Sequence, residues 1–285
     1  VRYLIKEADL EGTLSDLSNL ADVYLQAVFK IACEEVSKKC GHAVPENFCI
    51  IGMGKHGGGE LNFESDLDVV FVYDEPEEDS GVHYAAISQL IYKLTSEMTS
   101  AGYAYKIDTE LRPEGGAGVL VMSITGYEQY FKTRARIWEQ QAMVRARVVA
   151  GNKEVGKKFM ERVHEFVFKD DFEYSALIEI SRMRERMELQ TNTVGAINMF
   201  VAQGMIDQTK AEQAKENYLF LRRLECALRI IRQTPTNNLP KDTRDLAQLA
   251  RLMAYEGNDP ENLSTALLKD YEMHTSQMRE YYRET

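Results

Sequence analysis

The 285-residue chain has no apolar run that approaches the roughly 20 residues a membrane-spanning helix needs. Its first residues, VRYLIKEADLEG, lack the basic start, apolar core and small-residue cleavage site of a secretory signal. Hydrophobic residues make up 44% of the chain and charged residues 28%, a balance typical of globular proteins. These features predict a cytoplasmic protein with no membrane partner.

Basic residues are also few: 34 Lys and Arg stand against 45 Asp and Glu, which gives a net charge of -11. A protein that coats nucleic acid neutralises phosphates with a basic surface, so this balance predicts no nucleic-acid partner. It does not exclude a nucleotide site, because a local basic pocket or bound metal ions can offset phosphate charge.

Cysteine is scarce as well. The four cysteines, Cys33, Cys40, Cys49 and Cys226, show no CxxC pairing, and no nearby histidine completes a zinc pattern. The sequence therefore predicts reduced, partly buried thiols.

Hydrophobic periodicity predicts alternating helices and strands in the first half of the chain. Apolar residues at helical spacing predict helices over 13–40 and 82–100. Apolar runs predict buried strands at Phe48–Met53 and Leu67–Tyr73, and a third strand at Tyr103–Leu111.

A further short strand, VLVMS, is followed by residues 124–151, which we predict to be mostly helix. Beyond that point strand signals vanish. Helices are predicted at 153–168, 173–190, 193–203, 207–233, 242–254 and 260–283. The pattern indicates an α+β fold: a mixed-sheet domain with an N-terminal helix over residues 1–152, then an all-α helical bundle over 153–285.

Residues 54–68, GKHGGGELNFESDLD, lie between the first two predicted strands. Asp66 and Asp68 are two apart, so on an extended strand their carboxylates point to the same side and can share hard divalent cations. A third carboxylate would complete a two-metal site. Asp108 on the third strand is our candidate, and its alternation partner Glu110 is a competing choice.

The glycines of this stretch let the backbone approach a phosphate closely. They are Gly54, Gly57, Gly58 and Gly59. Lys55 can place a positive charge on a triphosphate, and the Ser65 hydroxyl can donate a hydrogen bond to it. Glycine-rich turns and D-x-D pairs are common without a ligand, but their order between apolar strands favours a site. The stretch matches neither the Walker A pattern nor the dinucleotide fingerprint.

Other polar residues have two open interpretations. Arg112, Arg145 and Arg147 are candidates for contacts with phosphate or a partner surface, and surface salt pairs explain them equally well. His56 either faces the nucleotide or is a bystander. Glu139 and Trp138 are candidates for positions near the site, although a core anchor is the favoured interpretation of Trp138.

Gly54, Gly59 and Ser65-Asp66-Leu67-Asp68 resemble the polymerase-β-like nucleotidyltransferase superfamily. More closely, IGMGKHGGGELNFESDLDVVFVYD is similar to the family of bifunctional glutamine synthetase adenylyltransferase/adenylyl-removing enzymes. The same holds for IDTELRPEGGAGVLVMS, WEQQAMVRARVVAG and YLFLRRLECALRI. The resemblance covers most of the chain from about residue 13 onward.

The resemblance implies one half of such an enzyme, a polymerase-β-like nucleotidyltransferase domain followed by a helical bundle. It implies Mg²⁺ held by Asp66, Asp68 and Asp108, and ATP as a substrate whose phosphates contact Gly54, Lys55 and Ser65. The implied protein partner is glutamine synthetase, with a tyrosine as the acceptor. A PII-type signal protein is a further partner whose role on this chain the sequence leaves open.

The activity has three readings. WEQQAMVRARVVAG and the C-terminal YEGNDPENLSTALLKDYEMHTSQMREYY favour the adenylylating half, which moves AMP from ATP to the tyrosine. The alternative is the adenylyl-removing half, which phosphorolyses AMP-tyrosine to ADP. A second alternative is an inactive nucleotide-sensing or partner-binding module, because fold alone does not establish activity.

Two departures from the family pattern limit what the resemblance implies. Glu110 stands where the family has an arginine. The family also has a glycine-rich segment between the first bundle helices, whereas here RMRERMELQ runs directly into TNTVGAINMF after Gln190. Either the loop is deleted in this chain, or the sequence omits that stretch.

Overall fold

The computed structural model describes residues 9–44, 46–74, 80–97, 100, 102, 104–168, 192–232, 236 and 238–284. The predicted helix at 173–190 and the join after Gln190 lie outside the described residues. Contacts divide the chain into two units. The sheet unit comprises the described residues within 15–61 and 66–192, and the bundle unit those within 1–14, 62–65 and 193–285.

The sheet unit is built on a mixed five-stranded sheet. Its strands are β1 (Phe48–Gly52), β2 (Leu67–Tyr73), β3 (Ile107–Asp108), β4 (Val121–Ser123) and β5 (Arg147–Gly151). Strand β1 pairs antiparallel with β2 on one side and with β5 on the other. The parallel partners of β2 are β3 and β4. The predicted fold class, a mixed sheet with helices followed by a helical part, is confirmed.

Helices cover both faces of this sheet. Successive side chains of β2 point to opposite faces, so alternate residues of this strand pack against different helices. Leu67, Val69 and Phe71 pack in a core with α1 (Leu10–Cys40) and α3 (Ser80–Ser96). Val70 and Val72 point to the opposite face. That second core is formed with α4 (Ile124–Thr133), α5 (Ile137–Met143) and α6 (Lys153–Val167). A one-turn helix, α2 (Gly54–Gly57), follows β1.

Helix α6 belongs to the sheet unit, although the sequence boundary at 152 assigned it to the bundle. Asn152 caps it by accepting hydrogen bonds from the backbone N–H groups of Glu154 and Val155. Its apolar face, Val155, Phe159, Val163 and Val167, packs in the second core with β1 and β2 residues. A helical pattern reveals the apolar face of a helix but not the element that covers it.

The structure departs from the sequence predictions for this unit in two places. The third strand is only Ile107–Asp108, because the Asp108 carboxylate accepts the backbone N–H of Glu110 at 2.8 Å and turns the chain. Residues 124–151, predicted to be mostly helix, contain two helices, but they end in strand β5, which was not predicted. Val148 and Val149 are typical of a strand, but the arginines and alanines around them are also common in helices, so the strand was not recognised in the sequence.

The bundle unit contains α7 (Thr193–Ala202), α8 (Gln208–Arg232), α9 (Thr243–Leu252) and α10 (Pro260–Glu284), as the periodicity predicted. Its core joins leucines of three helices, Leu224, Leu228, Leu246, Leu249, Leu263 and Leu267. None of the described helices has the length and apolar character needed to cross a membrane.

Candidate functional site

Asp68 and Asp108 occupy paired positions in the parallel strands β2 and β3. Their neighbours Leu67 and Ile107 are also paired, and both are buried. Because side chains alternate along a strand, the two carboxylates lie on the opposite face from these apolar residues. Asp66 is two residues before Asp68 and lies exposed just before β2 begins. The fold thus brings all three predicted aspartates to one end of β2.

The carboxylates influence one another electrostatically. Burial, together with the negative charges of Asp108 and Asp66, raises the pKa of Asp68 to about 6, while Lys55 works in the opposite direction. Like-charged carboxylates that crowd a partly buried position favour a bound cation that offsets their repulsion. Oxygen ligands of this kind are those that Mg²⁺ prefers, so the residues present fit a divalent cation.

Gly54 closes the backbone over Asp68. Its φ is 52°, and a Cβ at this position would lie 2.3 Å from Oδ2 of Asp68. The backbone N–H of the preceding Met53 donates to the carbonyl of Asp68 at 2.8 Å. Gly54 is therefore required both for its left-handed backbone and for the absence of a side chain beside the carboxylate.

Gly57 and Gly58 have a different neighbour. A Cβ on Gly57 would lie 1.9 Å from the carbonyl oxygen of Arg145, and a Cβ on Gly58 would lie 2.4 Å from Nη2 of the same arginine. The Arg145 guanidinium forms a salt bridge with the buried Glu60. These two glycines allow Arg145 to pack against the loop. At Gly59, whose φ is 66°, no heavy atom of the described residues lies within 4 Å of the position that a Cβ would take. Phosphate contact by these three glycines stays a prediction.

Arg147 holds the short helix α2 in place. Its guanidinium pairs with Asp22 of α1 at 2.6 Å and donates to the carbonyls of His56 and Gly57 at 3.1 and 3.2 Å. The Asp22 carboxylate also contacts Nε2 of His56 at 2.8 Å, and the His56 side chain is fully buried. Arg147 and His56 thus link α1, α2 and β5 from within the fold.

The pKa values of this cluster follow from its contacts. Burial works to raise the pKa of Asp22, but the hydrogen bonds from His56 and Arg147 outweigh it and hold that pKa below its usual range. Burial lowers the pKa of His56, and the Asp22 carboxylate offsets this only in part. The histidine is therefore a neutral buried group at physiological pH.

Arg112 and Glu110 organise the turn after β3. The guanidinium of Arg112 donates to the Thr109 carbonyl at 2.8 Å and to its hydroxyl at 2.9 Å. The Glu110 carboxylate accepts the backbone N–H of Gly116 at 3.1 Å. Of the two candidates for the third carboxylate, Asp108 is thus the one that pairs with Asp68. Contact between Arg112 and a ligand stays a prediction.

Ser65 lies in the segment 62–65 of the bundle unit. Its Oγ accepts the backbone N–H of Asn62 at 3.2 Å and Nη1 of Arg229 at 3.0 Å. The buried Arg229 also donates to the carbonyls of Phe63 and Glu64. With its lone pairs engaged, the hydroxyl keeps its proton for donation. Its predicted role toward a phosphate is untested.

Sequence reasoning missed a cavity beside the turn after β3. The cavity has a volume of about 650 Å³ and is lined by Glu110, Glu114, Gly115, Tyr130, Arg134, Arg136, Trp138 and Glu139. Trp138 is 47% exposed here, so the prediction that it anchors the core was wrong. The buried neighbour is instead Glu139, which accepts the Tyr130 hydroxyl at 2.6 Å. Trp138 and Glu139 are neighbours on a short helix, so their side chains point in different directions, and the one that is covered is Glu139.

Comparison with known families gives two matches. A model described as "Glutamate-ammonia ligase adenylyltransferase" matches residues 1–162. A second, described as "GlnD PII-uridylyltransferase", matches residues 158–285. The two together span both units of the chain.

Curated relatives agree. The chain is 29% identical over 299 residues to the bifunctional glutamine synthetase adenylyltransferase/adenylyl-removing enzyme of Stenotrophomonas maltophilia (strain R551-3), which covers 87% of this chain and 32% of that protein. The protein of the same name from Pseudomonas syringae pv. tomato is 29% identical over 308 residues, with 89% and 31% covered. The chain therefore spans about a third of the length of the relatives it matches.

Proposed function

This chain belongs to the glutamate-ammonia ligase adenylyltransferase family, and from that membership we propose that it is a metal-dependent adenylyltransferase which moves AMP from ATP to a tyrosine of glutamine synthetase. The observation that carries the proposal is the pairing of Asp68 with Asp108 at the end of β2 where Asp66 also lies. An enzyme of phosphoryl chemistry needs such a group of carboxylates, because substrate phosphates bring negative charge that only cations can offset.

Asp66, Asp68 and Asp108 would hold the divalent cations. A bound cation neutralises charge on the triphosphate and lowers the pKa of a coordinated hydroxyl, which is the chemistry that tyrosine adenylylation requires. Lys55 adds a positive charge close enough to Asp68 to lower its pKa. Gly54 has no side chain that would displace the Asp68 carboxylate. The residues of the chain thus position the substrates and neutralise their charge, and these are the main contributions to transfer of a nucleotidyl group.

The support for the adenylylating half over the removing half comes from the sequence alone. It rests on two segments, WEQQAMVRARVVAG and the C-terminal segment. The names of the relatives cover both activities. The proposal therefore commits to adenylylation on sequence grounds and makes removal an outcome of the test.

The test is transfer of label from α-³²P-ATP to unadenylylated glutamine synthetase by the purified chain in the presence of Mg²⁺. We expect labelled glutamine synthetase with labelled ATP and none with labelled UTP. UTP is the control because residues 158–285 match a uridylyltransferase model. The Asp68→Asn variant should transfer at least 100-fold less label.

A second reaction uses adenylylated glutamine synthetase and inorganic phosphate. Release of ADP without forward labelling would overturn adenylylation in favour of the removing activity. Neither labelling nor ADP release, with a correctly folded chain, would make the chain a binding module.

A further inference from the structure

Cys40, His42 and His83 come together at the surface of the sheet unit. One ligand atom from each, sulfur or nitrogen, lies within 4.8 Å of the other two. Sγ of Cys40 is 3.4 Å from Nδ1 of His83, and the two imidazole rings meet edge to face with centroids 5.2 Å apart. Cys40 and His42 are exposed and His83 is partly exposed, so an ion can reach all three.

This cluster lies at the opposite end of the sheet from the aspartates. Cys40 ends α1 and His83 lies in the first turn of α3. The residue next to His83, Tyr84, stacks on Tyr73 with ring centroids 4.8 Å apart, and Tyr73 is the last residue of β2. Asp68 lies near the first residue of that strand. At ~3.3 Å per residue, the length of β2 separates the two groups by about 20 Å.

We propose that Cys40, His42 and His83 form a binding site for a borderline-soft divalent cation, with Zn²⁺ as the best fit. Two imidazoles and a thiolate are the ligands that Zn²⁺ takes, at bond lengths of ~2.0–2.3 Å. In a tetrahedral shell such bonds separate the ligand atoms by about 3.3–3.8 Å. The 3.4 Å between Cys40 and His83 already matches that separation. The three-ligand set leaves a fourth position for water.

The donor set discriminates against the cations expected at the aspartates. Mg²⁺ prefers oxygen ligands, and the trio contains none. Nδ1 of His42 faces the carbonyl of Ala43 at 3.2 Å. A proton held there leaves Nε2 with the lone pair for a metal, the usual way in which an outer partner orients a ligating histidine.

Binding at this site joins two helices that are distant in sequence. The C-terminus of α1 and the N-terminus of α3 would be tied by one ion, which stabilises the folded sheet unit because the unfolded chain has no such preformed trio. Sequence analysis found no zinc pattern because His83 is 43 residues from Cys40. Only the fold brings it close.

The site is tested by titrating the reduced, metal-free chain with Zn²⁺ and, separately, with Co²⁺, whose spectrum reports thiolate ligation. We expect one Zn²⁺ per chain and a thiolate-to-cobalt charge-transfer band. Cys40→Ser and His83→Asn should each weaken zinc binding at least tenfold, and Cys40→Ser should abolish the band. Zn²⁺ should also raise the Tm of the parent chain but not that of Cys40→Ser.

Two controls keep the result specific. Cys33→Ser removes a thiol outside the cluster whose pKa burial raises to about 12, and it should bind zinc as the parent chain does. The double variant Asp68→Asn, Asp108→Asn should keep the zinc stoichiometry and the cobalt band. The proposal is overturned if the parent chain shows no saturable zinc binding, or if only the aspartate variant loses it. Circular dichroism of each variant verifies that the fold is intact.

Discussion

A Cβ atom added to Gly54 would lie 2.3 Å from Oδ2 of Asp68, so these two residues can coexist only because the glycine has no side chain. The contact joins the loop after β1 to the carboxylate at the start of β2. It makes the position of the Asp68 carboxylate sensitive to a residue that has no functional group of its own.

We therefore expect Gly54→Ala to reduce kcat/KM for label transfer at least tenfold, because the new methyl group displaces the Asp68 carboxylate. Gly59→Ala is the matched control. Both glycines have positive φ, 52° and 66°, so both substitutions carry a backbone cost of about 1–2 kcal/mol. Among the residues that the structure describes, only the added Cβ of Gly54 would have a neighbouring atom within 4 Å. Equal losses of activity in the two variants would show that backbone strain alone matters.

A second pair of variants distinguishes Asp108 from Glu110 as the third carboxylate of the site. Asp108→Asn should lower the rate of label transfer at least 100-fold, because it removes a charge paired in register with Asp68. Glu110→Gln keeps an acceptor for the Gly116 N–H and should cost less than tenfold. Steady-state rates at saturating Mg²⁺ measure both. A larger loss in Glu110→Gln would move the third carboxylate to that residue.

Asp68 should also make the metal-free chain less stable as pH rises. Its folded pKa is about 6 against an ordinary value of 3.8, so the folded state holds the proton more tightly and stability falls as pH rises from about 4 to 6. At ~1.4 kcal/mol per unit, reduced for solvent screening, Asp68→Asn should stabilise the chain at pH 7 by about 1–2 kcal/mol.

Urea unfolding in EDTA at pH 4 and pH 7 measures this difference. The gain should vanish at pH 4, where Asp68 is protonated in the folded parent chain, and it should shrink at pH 7 when Mg²⁺ replaces EDTA. An Asp68→Asn variant that is no more stable than the parent at pH 7 contradicts the raised pKa.

The pair of Arg147 and Asp22 should contribute to stability more than a surface pair does. Arg147→Met removes the guanidinium that pairs with Asp22 and donates to the carbonyls of His56 and Gly57, and we expect a loss of about 2 kcal/mol in the free energy of unfolding. Lys158→Met breaks an exposed ion pair with Asp74 and should leave the urea midpoint unchanged. Similar midpoints for the two variants would argue against a supporting role for Arg147.

Much of the fold was predictable because local chemistry dictates it. The strand Leu67–Tyr73 and the bundle helices follow from apolar periodicity, which each segment carries in its own residues. The short strand Ile107–Asp108 and the strand Arg147–Gly151 were not predicted correctly. The first is ended by an aspartate that bonds its own turn, and the second exists because β1 offers an edge to pair with.

By itself, the sequence determined that Asp66 and Asp68 stand two residues apart at the start of a strand and that they follow a glycine-rich turn. The tertiary structure alone decided that Asp108 pairs with Asp68, that Arg145 occupies the space over Gly57 and Gly58, and that His83 meets Cys40. These relationships join residues 40 to 88 positions apart. Their distances depend on strand register and helix packing, which no local pattern encodes.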